Sequence, residues 1–331
     1  MARTQVSAKD VAELAGVSRA AVSRTFTPGA SVSAETRAKV HAAADELGYH
    51  VNHLARGLIT SNTGIVALIA SEIGTPYRSK LLAALTEHLQ AAGKVSLLIN
   101  TDRSDESVSQ ALRKAIAYRT DAAIVLSGMP DSSLAETCLR NGMRLVLINR
   151  DEERRGATQI RLDDEAAGRQ AFAALMAAGC TRLAMASSLA GTPSLESRAR
   201  GFMSAAQDAG QDVILEVSGM TSYQTGLDVG TRLMTRENRP DGVFCSTDLI
   251  AFGVMDAARR RFKLDVPKDV CVIGFDDVEE ASWESYDLTT FRQPLREIAK
   301  AAIESLSHPS DDAPRAVSLK SRLIWRGSIR G

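Results

Sequence analysis

Along the first fifty residues, apolar positions recur at helical spacing. Ser7 stands where an N-cap belongs, Val11, Leu14 and Ala15 follow on one face, and Gly16 supplies the left-handed stop of a tight turn. Val17 plugs the joint. Ser18 caps a second short helix whose Ala21, Val22 and Phe26 face inward, and a third helix runs from Ser33 through Leu47, with Val40, Ala44 and Leu47 on one face and Gly48 ending it. Two short helices around a sharp turn, braced by a third, predict a helix-turn-helix. Its second helix presents Arg19, Ala20, Ser23 and Arg24 outward, and arginines so placed suit guanine edges and phosphates.

From Gly64 onward the pattern changes to short apolar runs alternating with amphipathic stretches, the signature of βαβ units around a parallel sheet. The runs predict strands at Ile65–Ile69, Val95–Ile99, Ala122–Leu126 and Leu145–Ile148, then a second series at Leu183–Ala186, Val213–Val217, Gly242–Cys245 and Val270–Gly274. Helices fall between them at Lys80–Ala92, Ser107–Tyr118, Glu165–Ala178, Ser197–Ala209, Tyr223–Thr235 and Leu249–Arg261. Two similar series mean two lobes. Between them and the N-terminal helices, His50 to Ser61 is polar and short, a linker whose single helical turn or two is marginal in water on its own. The divisions are therefore 1–49, 50–62 and 63–331.

Composition narrows the class. At 331 residues the chain is long enough for more than one core. With 40 basic and 40 acidic residues it has no net charge, so affinity for a polyanion rests on placement and on doubling up in a dimer. Cys138, Cys180, Cys245 and Cys271 lie far apart among apolar neighbours, without metal-knuckle or redox spacing, which favours buried thiols in a reducing compartment. His50 and His53 lack the cysteine or acidic partners that would complete a metal site, so neither metal nor cofactor is expected. No apolar signal segment opens the chain and no run approaches the roughly 20 residues needed to span a bilayer. A cytoplasmic protein is expected.

These N-terminal residues, together with Gly48-Tyr49, the run Asn52-His53-Leu54-Ala55-Arg56-Gly57-Leu58, Gly274-Phe275-Asp276-Asp277 and Trp325-Arg326-Gly327-Ser328, resemble the LacI/GalR family of bacterial transcription regulators along the whole chain. The resemblance implies an all-α helix-turn-helix domain followed by an α/β bilobed, type I periplasmic-binding-protein-like effector domain. In it the chain crosses between lobes near Asp163, Pro294 and Leu323, and C-terminal strands complete each sheet. By the same resemblance Arg19, Ala20 and Arg24 read the major groove, while Ser18, Ser23 and Thr36 donate to phosphates. Asn52 and Arg56 belong to a DNA-contacting hinge in which Leu58 wedges between base pairs from the minor groove. Val51 stands where the family usually has proline.

For the effector, the resemblance assigns Arg198 and Asp276. Tyr77, Arg78, Asn149, Thr221, Asp248 and Gln293 fall at other strand ends or lobe crossovers, where ligands of open α/β sheets gather. Several departures bear on the ligand. Pro76-Tyr77-Arg78 and Thr221 stand where relatives often carry a stacking aromatic ring, and Asn149-Arg150 replaces a common Asp-Arg pair. Losing a carboxylate and gaining Arg78 favours an effector bearing a carboxylate or phosphate over a neutral sugar. The expected function is a sequence-specific regulator, a repressor, that binds near-palindromic double-stranded DNA as a homodimer under control of a sugar or sugar acid. The alternatives are a cytosolic binding protein without DNA or an enzyme on a doubly wound sheet. No P-loop, G-x-G-x-x-G or G-x-S-x-G motif supports the enzyme.

Overall fold

The computed structural model describes residues 6–27, 29–51, 62–102, 104–126, 132–150, 156–307 and 315–331. The chain divides into two compact units, residues 1–63 and 64–331. Asn52, Arg56 and Leu58 lie outside the described residues.

The first unit holds α1 (Ala8–Ala15), α2 (Arg19–Thr25) and α3 (Ala34–Leu47). Ser7 and Asp10 form a reciprocal capping box, and the left-handed Gly16 lets the Val17 N–H reach back to the Ala12 carbonyl at 3.0 Å. Ser18 caps α2 by accepting from the Ala21 N–H at 3.2 Å. The shared core is Val11, Ala12, Val22, Val40, Ala43 and Ala44, closed by Val17, Phe26, Leu47 and Tyr49. Two inward assignments change: Leu14 is 47% exposed, and the buried place beside Val22 goes to Thr25, whose hydroxyl is satisfied by the Ala21 carbonyl at 2.9 Å. A small three-helix core has room for one apolar side chain per turn, and alanines fill the rest.

In the second unit the first lobe comprises β1 (Ile65–Ser71), α4 (Pro76–Ala91), β2 (Val95–Thr101), α5 (Asp105–Ala117), β3 (Ala122–Val125), α6 (Ser132–Arg140), β4 (Arg144–Ile148) and β5 (Ala157–Leu162). The second lobe comprises α7 (Asp164–Ala177), β6 (Leu183–Ser188), α8 (Pro193–Asp208), β7 (Val213–Ser218), α9 (Tyr223–Met234), β8 (Gly242–Cys245), α10 (Asp248–Asp256), β9 (Cys271–Asp276) and β10 (Thr289–Arg292). The chain then returns to the first lobe through α11 (Leu295–Ser305) and β11 (Arg315–Leu319) and ends in the second with β12 (Arg322–Ile324). Among the described residues each lobe has a six-stranded sheet of the same order, β2-β1-β3-β4-β5-β11 and β7-β6-β8-β9-β10-β12. The β10–β12 pair is antiparallel and the other pairings are parallel. Both faces of each sheet are covered. Val66, Leu68 and Ala70 join one apolar layer and Ala67 and Ile69 the opposite one, which is why β1 reads as an unbroken apolar run.

Several elements go beyond the sequence pattern. The helix expected over Leu249–Arg261 keeps α-helical form to Asp256 and continues as a π-turn over Ala257–Arg261. β10 is written in polar letters, Thr-Thr-Phe-Arg, yet Thr289 and Thr290 are fully buried because their hydroxyls donate to the Arg326 carbonyl and the Asp248 carboxylate. α7 and α8 pack backbone to backbone. A Cβ at Gly168 would lie 2.2 Å from the Arg198 carbonyl oxygen, and one at Gly201 would lie 2.1 Å from that of Glu165. This reciprocal pair seats Arg198 against the start of α7.

Candidate functional site

On the first unit, Arg19, Ala20, Ser23 and Arg24 are all exposed on α2, while Val22 and Thr25 anchor its opposite face. Ser18 is exposed at its N-cap and Thr36 is half-buried in the first turn of α3. Arg24 Nε donates to the Ala20 carbonyl at 3.3 Å, which lays its guanidinium along the helix surface. Arg37 of α3 ties down the C-terminal end of α2 by donating to the Thr25 carbonyl at 3.2 Å. The result is a short rigid helix presenting two cations and two small polar or apolar groups, the shape and chemistry of a major-groove reader.

On the second unit, the carboxyl ends of strands from both lobes meet at a cleft of about 800 Å³, including its solvent-open part. From the first lobe come Glu72, Tyr77, Arg78, Leu126, Asn149 and Arg150, and from the second Ser194, Arg198, Thr221, Thr247, Asp276 and Gln293. Thus Tyr77, Arg78, Asn149, Arg198, Thr221, Asp276 and Gln293 are brought together. Asp248 is not among the lining residues. It is fully buried as the first residue of α10, where its carboxylate accepts from the Val278 N–H at 2.9 Å and from the Thr290 hydroxyl. The sequence places it correctly after a strand, but the helix start turns it into the protein and leaves its neighbour Thr247, the N-cap, at the cleft.

Arg198 is 3% exposed and bound on three sides. Its Nε donates to Asp164 at 2.8 Å, its Nη1 donates to the Ser246 carbonyl at 2.9 Å, and its guanidinium carbon sits 3.4 Å from the Phe275 ring centroid. Its charge is balanced inside the protein by Asp164. Across the cleft, Arg78 Nη1 and Arg150 Nη2 both donate to the Leu126 carbonyl, at 3.2 and 2.9 Å. Nothing in the sequence pattern marks Arg150 as a contact, although its position directly after β4 is where such contacts fall.

Opposite them Asp276 and Asp277 both have positive φ, 126° and 50°, a conformation held by side-chain anchors. Asp276 accepts from Gln293 Nε2 at 2.7 Å, and Asp277 is clamped by Arg292 and by Arg326 Nη2. Two polar atoms stand out. The Tyr77 hydroxyl and Gln293 Oε1 are buried without a hydrogen-bond partner among the described residues. Tyr77 also packs against core clusters of both lobes, so its ring bridges the cleft. Burial pushes its hydroxyl up to about 12, which keeps it a donor at neutral pH. Thr221 is tied to Ser188 by a 2.8 Å hydroxyl pair.

Burial also pushes the Asp276 carboxyl up to about 8, against the pull of Arg198, and the Asp248 carboxyl up to about 7. Both groups hold protons when folded that they release when unfolded, at an ordinary value of 3.8. Their contribution to stability is therefore fully present below about pH 4 and is lost as pH rises through 7 and 8. Urea unfolding of the ligand-free protein should show a midpoint that falls between pH 6 and 8.5. Asp276→Asn should flatten that slope, and an unchanged slope would contradict the assignment.

Comparison with known proteins agrees with this geometry. A model described as bacterial regulatory proteins, lacI family, matches residues 7–52, and one described as a periplasmic binding protein-like domain matches residues 172–329. The ribose operon repressor of Escherichia coli strain K12 is 30% identical over 303 residues, covering 91% of this chain and 92% of the repressor. The transcriptional regulator GalR of the same strain is 31% identical over 309 residues, covering 92% of this chain and 90% of GalR. The crystal structure of the Lac repressor bound to ONPG in its repressed state superposes with a TM-score of 0.86 at 25% identity, covering 98% of this chain and all of that one. The chain belongs to the lacI family of bacterial regulatory proteins and is a DNA-binding transcriptional regulator. No helix among the described residues is long and apolar enough to cross a membrane.

Proposed function

We propose that the protein is a homodimeric cytoplasmic repressor whose grip on a near-palindromic operator is set by a small polyhydroxylated effector, anionic rather than neutral, bound between the lobes. The observation that carries the effector reading is the cluster of polar groups facing one cleft, above all the buried Tyr77 hydroxyl and Gln293 Oε1, which have no described protein partner. A ligand with vicinal hydroxyls would satisfy both and would donate to Asp276, while Arg78 and Arg150 hold its acidic group. Arg19 and Arg24 read guanines, Ala20 contacts a thymine methyl, Ser18, Ser23 and Thr36 hold phosphates, and Asn52, Arg56 and Leu58 serve in the hinge. The similarity to the ribose operon repressor supports effector control in general.

Thermal-shift screening against sugar acids, phosphosugars and neutral sugars, followed by calorimetry, tests this reading. The expected hit is an acid that stabilises the parent and binds Tyr77→Phe at least about tenfold more weakly, the effect of stranding a buried partner. It should also bind more tightly as pH rises through 8, because a donating hydroxyl favours the ionised Asp276. A neutral sugar that ignores Arg78→Ala would defeat the charge argument. A hit indifferent to both Tyr77→Phe and Asp276→Ala would defeat the site.

A further inference from the structure

The fold brings together two thiols that the sequence keeps far apart. Cys180 lies in the turn between α7 and β6, and Cys271 opens β9. Between them runs β8, whose first residue, Gly242, pairs in register with Cys271. A Cβ at Gly242 would lie 2.8 Å from Cys180 Cβ and 2.9 Å from its Sγ, so the missing side chain is what lets Cys180 lie across the strand toward Cys271. Cys180 Sγ donates to the Asp241 carbonyl at 3.4 Å and Cys271 Sγ to the Pro267 carbonyl at 3.7 Å. Arg330 covers both: its backbone N–H donates to Cys271 Sγ at 3.3 Å and its Nη2 donates to Cys180 Sγ at 3.2 Å. The rest of the guanidinium is fixed by main-chain carbonyls, Nε by Ala178 at 3.0 Å and Nη1 by Pro267 and Lys268 at 3.2 and 3.0 Å.

The two remaining cysteines serve as internal controls. Burial pushes the Cys138 thiol up to about 11 and Cys245 well above its ordinary value. The neighbouring Cys180 thiol, the Arg330 backbone N–H and the Arg330 charge instead hold Cys271 down to about 7, while Cys180 is pushed up. Both sulfurs thus lie against one fixed cation. Arg330 itself is only half-buried, so solvent reaches the group that covers them.

We propose that Cys180 and Cys271 form a redox-responsive dithiol that closes to an intramolecular disulfide on exposure to hydrogen peroxide. The Cys271 thiolate attacks one peroxide oxygen, an S–O bond forms as the O–O bond breaks, and hydroxide leaves. Cys180 then attacks the sulfenic sulfur, giving up its proton to the departing oxygen, so that the S–S bond forms and water leaves. The two sulfurs lose two electrons in all, and peroxide is reduced to one water and one hydroxide.

Peroxide treatment of the reduced full-length protein tests the proposal, with remaining thiols alkylated after denaturation and peptides identified by mass spectrometry. The expected product is a Cys180–Cys271 cross-linked peptide, reversible by dithiothreitol, with Cys138 and Cys245 alkylated. Arg330→Gln should slow its formation at pH 7 by about tenfold, through loss of thiolate. Cys180→Ser should yield no disulfide, with Cys271 trapped by dimedone as its sulfenic acid. Alkylation of all four cysteines after peroxide, oxidation of Cys138 or Cys245 at a rate equal to Cys271, or failure of dimedone to label Cys180→Ser would overturn it.

Discussion

Replacing Arg198 with alanine is expected to cost the second unit about 3 to 5 kcal/mol of stability, because it breaks a buried ion pair with Asp164. Asp164 is 4% exposed and Arg198 3%, so water cannot take over the missing partner. The same change removes the cation packed 3.4 Å above Phe275 and the donor to the Ser246 carbonyl, which loosens the β8 and β9 ends that carry Thr247 and Asp276. Chemical denaturation gives the measurement. Arg198→Ala paired with Asp164→Ala should recover part of the loss, since the double variant removes both charges of the pair. An Arg198→Ala protein as stable as the parent would mean that the ion pair is not buried as described.

Arg24→Ala is expected to weaken specific operator binding by about 1 to 3 kcal/mol at each half-site, an effect counted twice in a dimer, and to relax the preference for one base pair. Leu58→Ala should lower affinity by a few kcal/mol and reduce DNA bending while leaving base preference intact, because a wedge offsets deformation and reads no base edge. Competition binding with operators altered one base pair at a time separates the two. If Arg24→Ala bound every operator uniformly more weakly, the side chain would be a phosphate contact, and the salt dependence of binding would fall with it.

Much of this architecture is legible in the chain because burial on both sheet faces forces unbroken apolar runs, and because caps such as Ser7, Ser18 and Gly16 mark helix ends chemically. What hides is polar structure whose partners are distant in sequence. β10 looks like a loop until Asp248 and Arg326 are seen to satisfy its threonines. Asp248 looks like a ligand contact for the same reason in reverse: a carboxylate after a strand is visible, but the two donors that absorb it are not. Arg198 and Asp276 could be singled out through the resemblance to a known family. That the Arg198 charge is met inside the protein depends on Asp164, a residue that reads as an ordinary helix start. Cys180 and Cys271 show the limit most clearly, since it is an intervening glycine in a third strand that lets them meet.

Occupancy of the cleft is expected to change the affinity of the first unit for DNA. The direct measurement is fluorescence anisotropy on a labelled operator, titrated with the parent and with Asp276→Ala, each with and without the sugar acid or phosphosugar that screening selects. That compound should shift the parent's operator affinity by about 5- to 150-fold, the range of ordinary coupling between sites, and leave Asp276→Ala unmoved. An equal shift in both proteins, or none in the parent at saturating compound, would contradict it.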